Sequence, residues 1–319
     1  MSIRRSILIF IVSLLSASTF ADNFLQEPIQ LLVPATDLDQ RKVILGDRLF
    51  HETKLSGDNT ISCASCHSLA TGGVDRLPFA KGIKGQVGNI NTPTVFNSGK
   101  NFVQFWNGRA QNLEEQAAGP VHNPGEMGSN WLDVITKLEK DSAYLKQFKE
   151  IYNSGPTGEA IVDAIATFER SLVTLNSPFD QYLKGDKDAI SPKAKKGYQH
   201  FKSLGCAACH QGQGVGGNLF QIFGVAKSLK DSKIKNPNDL GRYLHTNNEF
   251  DRYLFKVPML RNVAVTAPYF HSGQVQTLEG AIRVMAEFQL GRQISDEEVE
   301  DIAAFLRSLT GEYKGERLK

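Results

Sequence analysis

The sequence predicts a mainly α-helical protein made of two similar domains with long loops. Three observations support this fold class. A C-x-x-C-H string occurs twice, at residues 63–67 and 206–210, and a stretch with G-x-x-x-F precedes each copy. A second segment is repeated far behind each string, at residues 162–172 and 299–309. Alternation of polar and apolar residues, which would indicate strands, is sparse.

The chain opens with a segment typical of a removable export signal. Arg4 and Arg5 precede a run of sixteen uncharged, largely apolar residues, which ends with small residues before Asp22. The alternative is a membrane anchor, but the run is shorter than the about 20 residues that a span requires. No later stretch is apolar enough to span a membrane. We therefore expect residues 1–21 to be a signal peptide and the mature protein to be periplasmic.

The net charge of the chain bears on its binding partners, and its length bears on the number of domains. The 36 basic and 34 acidic residues give a net charge of +2, and loss of Arg4 and Arg5 leaves the mature chain neutral. This gives no support for nucleic-acid binding, which normally requires a basic excess. The length suits two domains. The polar stretch 184–191 is the expected linker, so that the domains are 22–185 and 186–319.

The two strings use all four cysteines of the chain. Their members are Cys63, Cys66 and His67 in the first string and Cys206, Cys209 and His210 in the second. Two thiols at this spacing can form thioethers with the two vinyl groups of one haem, and the adjacent histidine then lies under the iron. One such string could be a redox or zinc site, but two that consume every cysteine argue against both. We expect two covalently bound haem c groups, one in each domain.

The flanks of the strings support a cytochrome c-like plan in both halves. Ser191 and Pro192 predict the start of the second opening helix as an N-cap and a first-turn proline. The closing segments 162–172 and 299–309 match at seven of eleven positions, and Ser295 with Glu298 forms a predicted capping box. A G-x-G-x-x-G string at 212–217 follows a haem string rather than a strand, so we do not expect dinucleotide binding.

The chemistry of each haem depends on the ligand opposite its histidine. A strong sixth ligand gives an electron carrier, whereas an open position allows peroxide to bind. The methionines of the mature chain are Met127, Met259 and Met285, and the remaining histidines are His51, His122, His200, His245 and His271. Spacing alone does not choose between Met259 and Met285 for the second haem.

Eight ordered stretches are typical of one protein family. They are residues 49–57, 72–75, 91–97, 104–110, 115–120, 255–258, 266–271 and 289–292. Through these stretches the whole mature chain resembles the bacterial di-haem cytochrome c peroxidases, the family that includes the MauG type.

The resemblance implies different roles for the two haems. The haem on His67 would be the low-potential peroxidatic centre, and the haem on His210 the high-potential centre that receives electrons. Met285 would be the sixth ligand of the second haem, because it follows His271 by fourteen residues as in the family. MauG-type members have tyrosine at this position, so methionine favours a peroxidase.

The resemblance also implies the catalytic residues. Gln116 and Glu126 match a polar pair over the peroxide-binding face, where the carboxylate would move a proton between the peroxide oxygens and the amide would hold the peroxide. Trp106 matches a tryptophan between the haems, a route for electrons. By residue type alone, Trp106 could also be an aromatic of the domain interface.

The same resemblance implies a calcium site and shows one position at which this chain differs from the family. Asn91, Thr266 and Pro268 match positions around an inter-domain calcium ion, and oxygen ligands of this kind suit calcium. Many family members carry a histidine that caps the first iron, but Ile83 occupies that position here, with Lys84 beside it. Isoleucine cannot ligate iron, so we expect the first haem to be five-coordinate in the oxidised protein.

The leading functional interpretation is reduction of hydrogen peroxide to water with electrons from a small redox protein, a monohaem cytochrome c or a cupredoxin. One alternative is a di-haem electron-transfer cytochrome, in which both irons would be six-coordinate. Another is a MauG-like oxidase that acts on a partner protein, which Met285 argues against. Family members often form homodimers, but no dimer face is readable from the sequence.

Overall fold

A computed structural model describes residues 27–228, 236 and 240–319. The export signal expected at residues 1–21 lies outside the described residues. Within the described part, no helix has both the length and the apolar character that crossing a membrane requires. The structure is mostly helical with two domains, which confirms the predicted fold class.

Eleven α-helices and four short strands make up the regular structure of the described residues. The helices are α1 (Gln40–Phe50), α2 (Cys63–Cys66), α3 (Leu113–His122), α4 (Trp131–Glu139), α5 (Ser142–Tyr152), α6 (Gly158–Ser171), α7 (Pro178–Leu183), α8 (Pro192–Ser203), α9 (Tyr243–Thr246), α10 (Leu278–Val284) and α11 (Asp296–Arg307). The strands β1 (Phe220–Ile222) and β2 (Leu254–Lys256) pair antiparallel, as do β3 (Glu312–Tyr313) and β4 (Glu316–Arg317).

The predicted opening and closing helices pack as pairs, α1 with α6 and α8 with α11. Each pair crosses at a glycine. A Cβ on Gly46 would stand 2.0 Å from the carbonyl oxygen of Ala164, and a Cβ on Gly197 would stand 1.8 Å from that of Asp301. Ala164 and Asp301 are the same position of the two repeated segments. The repeated glycine therefore allows two helix backbones to touch.

Each helix pair forms the centre of a separate hydrophobic core. In the first core, Leu49 and Phe50 of α1 pack with Phe168 of α6. In the second, Phe201 of α8 and Phe305 of α11 lie with their ring centroids 5.1 Å apart. Both N-caps expected for the second domain are present: Ser191 accepts a hydrogen bond from Ala194, and Ser295 with Glu298 forms the capping box.

Equivalent segments of the two repeats meet between the domains. Leu175 and Glu312, which each lie three residues after the repeated segments 162–172 and 299–309, exchange backbone hydrogen bonds of 3.1 and 2.7 Å. Asn97 and Asn262 both donate to the buried Thr174 hydroxyl, at 2.9 and 3.0 Å. Equivalent residues of the two repeats therefore contact one another, and the domain interface is polar and buried at its centre.

The two ends of the described chain each pack on the other domain. Ile29 belongs to the second core and is 2% exposed. Tyr313 packs against the first core, with its ring 5.1 Å from that of Phe96. A division into 22–185 and 186–319 therefore does not describe the packing of these end segments, because each buries apolar side chains on the opposite core.

Candidate active site

The first haem string forms a single helical turn, α2, against the first core. His67 follows it, and its Nδ1 lies 3.4 Å from the carbonyl oxygen of Gly73. Burial lowers the pKa of His67, so its ring is neutral at pH 7. A hydrogen bond at Nδ1 leaves Nε2 available for a metal, which is the arrangement that iron-ligating histidines adopt.

The second string repeats this geometry. The Nδ1 of His210 lies 3.4 Å from the carbonyl oxygen of Val215, and burial lowers the pKa of His210 to about 4. Gly216 has a φ of +124°, and a Cβ there would stand 2.3 Å from the Pro258 carbonyl oxygen and 3.3 Å from Nδ1 of His210. The glycine-rich loop at 212–217 therefore packs against the histidine, as expected for a loop that is not a dinucleotide site.

A cavity in the second domain has the walls that a haem requires. It is lined by the three ligating or attaching residues of the second string, by both Met259 and Met285, and by apolar side chains of α8, α10 and α11. Burial raises the pKa of Cys206 to about 11 and that of Cys63 to about 12. Thiols that remain protonated are poor metal ligands. The residues present thus fit thioether attachment better than a thiolate metal site.

The two candidate methionines lie on different elements of this cavity. Met259 packs on the glycine-rich loop that follows His210, since a Cβ on Gly214 or Gly217 would approach its Cε to 2.9 Å. Met285 begins a π-helical turn, Met285–Gln289, at the end of α10. Such turns are frequent at functional sites. This arrangement favours Met285 as a sixth ligand, a choice that spacing left open.

Other candidate ligands have ordinary structural surroundings. Met127 is 3% exposed and belongs to the first core. His51 and His122 are exposed, and their Nδ1 atoms lie 2.8 and 2.9 Å from carbonyl oxygens of their own helices. His271 lines the second cavity, where its ring stacks on Phe255 with centroids 4.4 Å apart.

The first domain presents Glu126 in the turn after α3. Asn123 donates a hydrogen bond of 2.7 Å to its Oε1. Burial raises the pKa of Glu126, and the Arg109 guanidinium and the Asn123 bond offset part of that rise. Gln116 is half-buried on α3, and its side-chain amide bonds to no group of the described chain. Sequence reasoning missed Asn123 and Arg109, because their influence on Glu126 depends on the fold.

Ile83 occupies the position at which the resemblance implies a capping histidine, and its side chain is packed against neighbouring residues. Ile83 is 6% exposed, and its backbone N–H donates to the Glu126 carbonyl oxygen at 2.8 Å. Its Cδ1 would lie 2.3 Å from a Cβ on Gly128, so the side chain fills the space beside the Glu126 turn. Lys84 is exposed with a φ of +53°. Ile83 is therefore an apolar side chain packed against the turn that carries Glu126.

Trp106 lies where the domains meet. Its Nε1–H donates to the carbonyl oxygen of Asn91 at 2.9 Å, and its own carbonyl oxygen accepts from the Lys256 N–H at 2.9 Å. Asn91 belongs to the first domain and Lys256 to the second, so Trp106 is held by both. It also lines the second cavity. Trp106 is therefore fixed at the boundary of the two domains beside the cavity of the second string.

The three residues expected at a calcium ion line the same cavity as Trp106. Asn91, Thr266 and Pro268 all line the second cavity. The Asn91 side-chain N–H donates to the Leu77 carbonyl oxygen at 2.9 Å, which orients its amide oxygen. Within the described part of the chain, no three acidic, histidine or cysteine side chains come close enough to hold a metal ion. A cation here would depend on neutral oxygen ligands.

Comparison with known proteins agrees with this geometry. A family model described as di-haem cytochrome c peroxidase matches residues 40–188, and a cytochrome c model matches residues 194–310. The cytochrome c peroxidase Ccp of Escherichia coli is 50% identical over 90% of this chain. The chain belongs to the di-haem cytochrome c peroxidase family. It spans 62% of the length of the Escherichia coli protein.

Relatives of both the peroxidase type and the MauG type match this chain. The cytochrome c551 peroxidase of Nitrosomonas europaea is 43% identical over 97% of this chain and 93% of its own length. The methylamine utilization protein MauG of Methylorubrum extorquens is 34% identical over 87% of this chain and 80% of its own length. A crystal structure of a MauG-like protein associated with microbial copper homeostasis superposes with a TM-score of 0.78 at 25% identity, over 91% of this chain and 96% of that one.

Proposed function

We propose that this chain is a periplasmic cytochrome c peroxidase that reduces hydrogen peroxide to water with electrons from a monohaem cytochrome c or a cupredoxin. Relatives named cytochrome c peroxidase at 43–50% identity support the activity. The observation that carries the proposal is that the two haem strings have equivalent local geometry but different neighbouring side chains. Beside the first string lie an apolar Ile83 and a half-buried carboxyl, Glu126; beside the second lies Met285.

The polar residues of the first domain account for the proton chemistry. Peroxide reduction consumes two electrons and two protons for each peroxide. Haem at the first string supplies the peroxide-cleaving redox chemistry when it is bound. Glu126, with its raised pKa, accepts a proton from one peroxide oxygen and returns it to the other. Asn123 fixes the orientation of that carboxyl, and the Gln116 amide holds the substrate by a hydrogen bond.

The remaining site residues deliver electrons. His210 and Met285 would hold the second haem, which would then supply electron-transfer chemistry rather than peroxide binding. Trp106 connects the two sites through its contacts with both domains. Oxygens of Asn91, Thr266 and Pro268 would hold an inter-domain calcium ion, which would stabilise this region. Calcium titration of the chelator-treated holoprotein should detect one site, and absence of binding at millimolar calcium contradicts that part.

Two measurements test the proposed activity. EPR of the fully oxidised holoprotein should show one high-spin and one low-spin haem, and turnover of peroxide with reduced cytochrome c should need no prior reduction. Glu126→Gln should lower kcat by about 10²-fold or more, the usual contribution of a general acid–base. Glu150→Gln, an exposed carboxyl on α5, is the matched control. Two low-spin haems without turnover would establish an electron-transfer cytochrome instead.

A further inference from the structure

A buried carboxyl that the peroxidase mechanism leaves unused lies on α6. Glu169 is 5% exposed, and within the described part of the chain its carboxyl forms no hydrogen bond or ion pair. An ionised carboxylate in such a place is costly, so the group favours its neutral form. Burial raises the pKa of Glu169 to about 8. A carboxyl in this condition changes its protonation state readily when a nearby charge changes.

The internal repeat indicates what Glu169 faces. The closing segments 162–172 and 299–309 place Leu306 at the position equivalent to Glu169. Leu306 lines the second cavity together with Cys206 and His210. In the first domain, the charge of Glu169 raises the pKa of Cys63, an attachment residue of the first string. Glu169 therefore lies at the wall of the first haem site, where the second domain has an apolar residue.

The other charges around Glu169 do not neutralise it. The charged side chains on α6 and on the elements packed with it are Glu159, Asp163 and Arg170 on α6, Glu114 and Glu115 on α3, Arg41, Lys42, Asp47 and Arg48 on α1, and Lys100 on the 3-10 turn Ser98–Lys100. Of these, Arg170 and Glu114 act on the pKa of Glu169. Arg170 lowers the pKa of Glu169 and Glu114 raises it, but these two form a salt bridge of 2.7 Å with each other. Lys42 is paired with Asp163 at 2.7 Å.

We propose that Glu169 takes up the proton that accompanies reduction of the first haem, an inference that rests on the proposed haem at the first string. Reduction adds one electron to the iron and removes one positive charge from the site. The carboxylate of Glu169 then binds one proton from solvent, so that the charge of the buried site is unchanged. The O–H bond of the carboxyl is the bond that forms, and no other bond changes.

The sign of the pH dependence follows from this coupling. At low pH the carboxyl is protonated in both redox states, and the potential of the first haem is independent of pH. As pH rises through the pKa of the oxidised form, reduction must also bind a proton, so the potential falls. The limiting slope is tenfold in the reduction equilibrium per pH unit, or about 59 mV for a one-electron couple. The second haem, beside Leu306, lacks this group.

Redox titration of the holoprotein between pH 6 and 10, with the two haems followed separately by their visible spectra, tests the inference. In the wild type, the potential of the first haem should fall with pH over part of this range. Glu169→Leu, which installs the chain's own second-domain residue, should abolish the slope, as should Glu169→Gln. The reciprocal Leu306→Glu should create a slope at the second haem.

Each outcome decides the inference. A slope at the first haem that persists in both Glu169 variants, or a flat wild-type potential, overturns it. If Glu169→Leu does not fold, the near-isosteric Glu169→Gln and the reciprocal variant still give the answer. The haem potentials can be measured without peroxide turnover. If the protein lacks peroxidase activity, but the potential of its first haem depends on pH only while Glu169 is present, the proposed function is refuted and this inference is retained.

Discussion

The glycine at each helix crossing makes the fold of the haem domains sensitive to one added methyl group. In Gly46→Ala, the new Cβ would lie 2.0 Å from the Ala164 carbonyl oxygen and 2.7 Å from the Cβ of Phe168. The first of these is a backbone atom that cannot rotate away. The α1 and α6 backbones must therefore move apart, and the apolar contacts that form the first core must open with them.

The magnitude follows from two opposed effects. Overpacking of a well-packed core costs about 1–3 kcal/mol. Alanine is favoured over glycine in a helix by about 1 kcal/mol, which offsets part of that cost. Because a rigid carbonyl meets the methyl group, we expect a net loss near the upper end, about 2 kcal/mol. For a domain of this size, that corresponds to a fall in Tm of about 4–8 °C.

Thermal unfolding of the holoprotein, followed by far-UV circular dichroism, measures this effect. Gly155→Ala is the matched control, since its Cβ would have no heavy atom nearer than 3.7 Å and its φ is not positive. The control should unfold within about 1–2 °C of the wild type, as surface substitutions change stability by about 0.5 kcal/mol or less. Gly197→Ala should resemble Gly46→Ala. Equal Tm values for Gly46→Ala and the control would refute the close-crossing argument.

Three further predictions concern the two haem sites. In Arg109→Leu, loss of a neighbouring positive charge raises the pKa of Glu126 further, so the acid limb of kcat/KM for peroxide should move to higher pH; an unmoved limb would show that Glu126 is not the base. Met285→Leu should convert the second haem to a high-spin EPR signal, whereas Met259→Leu should leave it low-spin, and the reverse pattern would exchange their roles. Ile83→His should make the oxidised first haem low-spin and turnover dependent on prior reduction; an unchanged high-spin signal would mean that this loop does not reach the iron.

Local chemistry determined much of this protein from sequence. The spacing of Cys63, Cys66 and His67 is a covalent requirement of haem attachment, so the string is readable without a structure. The Ser295 cap is likewise local, since it acts within the first turn of its own helix. The difference between Glu169 and Leu306 is also visible in the aligned repeats, although its meaning requires the burial of both residues.

Other features depended on groups that are distant in the chain. Met259 packs on the glycine-rich loop and Met285 lies at the end of α10, and only the fold shows that both line one cavity. The raised pKa of Glu126 results from burial, which outweighs the opposite effect of Arg109. The exchange of end segments results from the apolar surface that each core leaves for Ile29 or Tyr313. Burial and electrostatic fields sum over all neighbours in space, so the tertiary structure decided which of the readable residues have unusual chemistry.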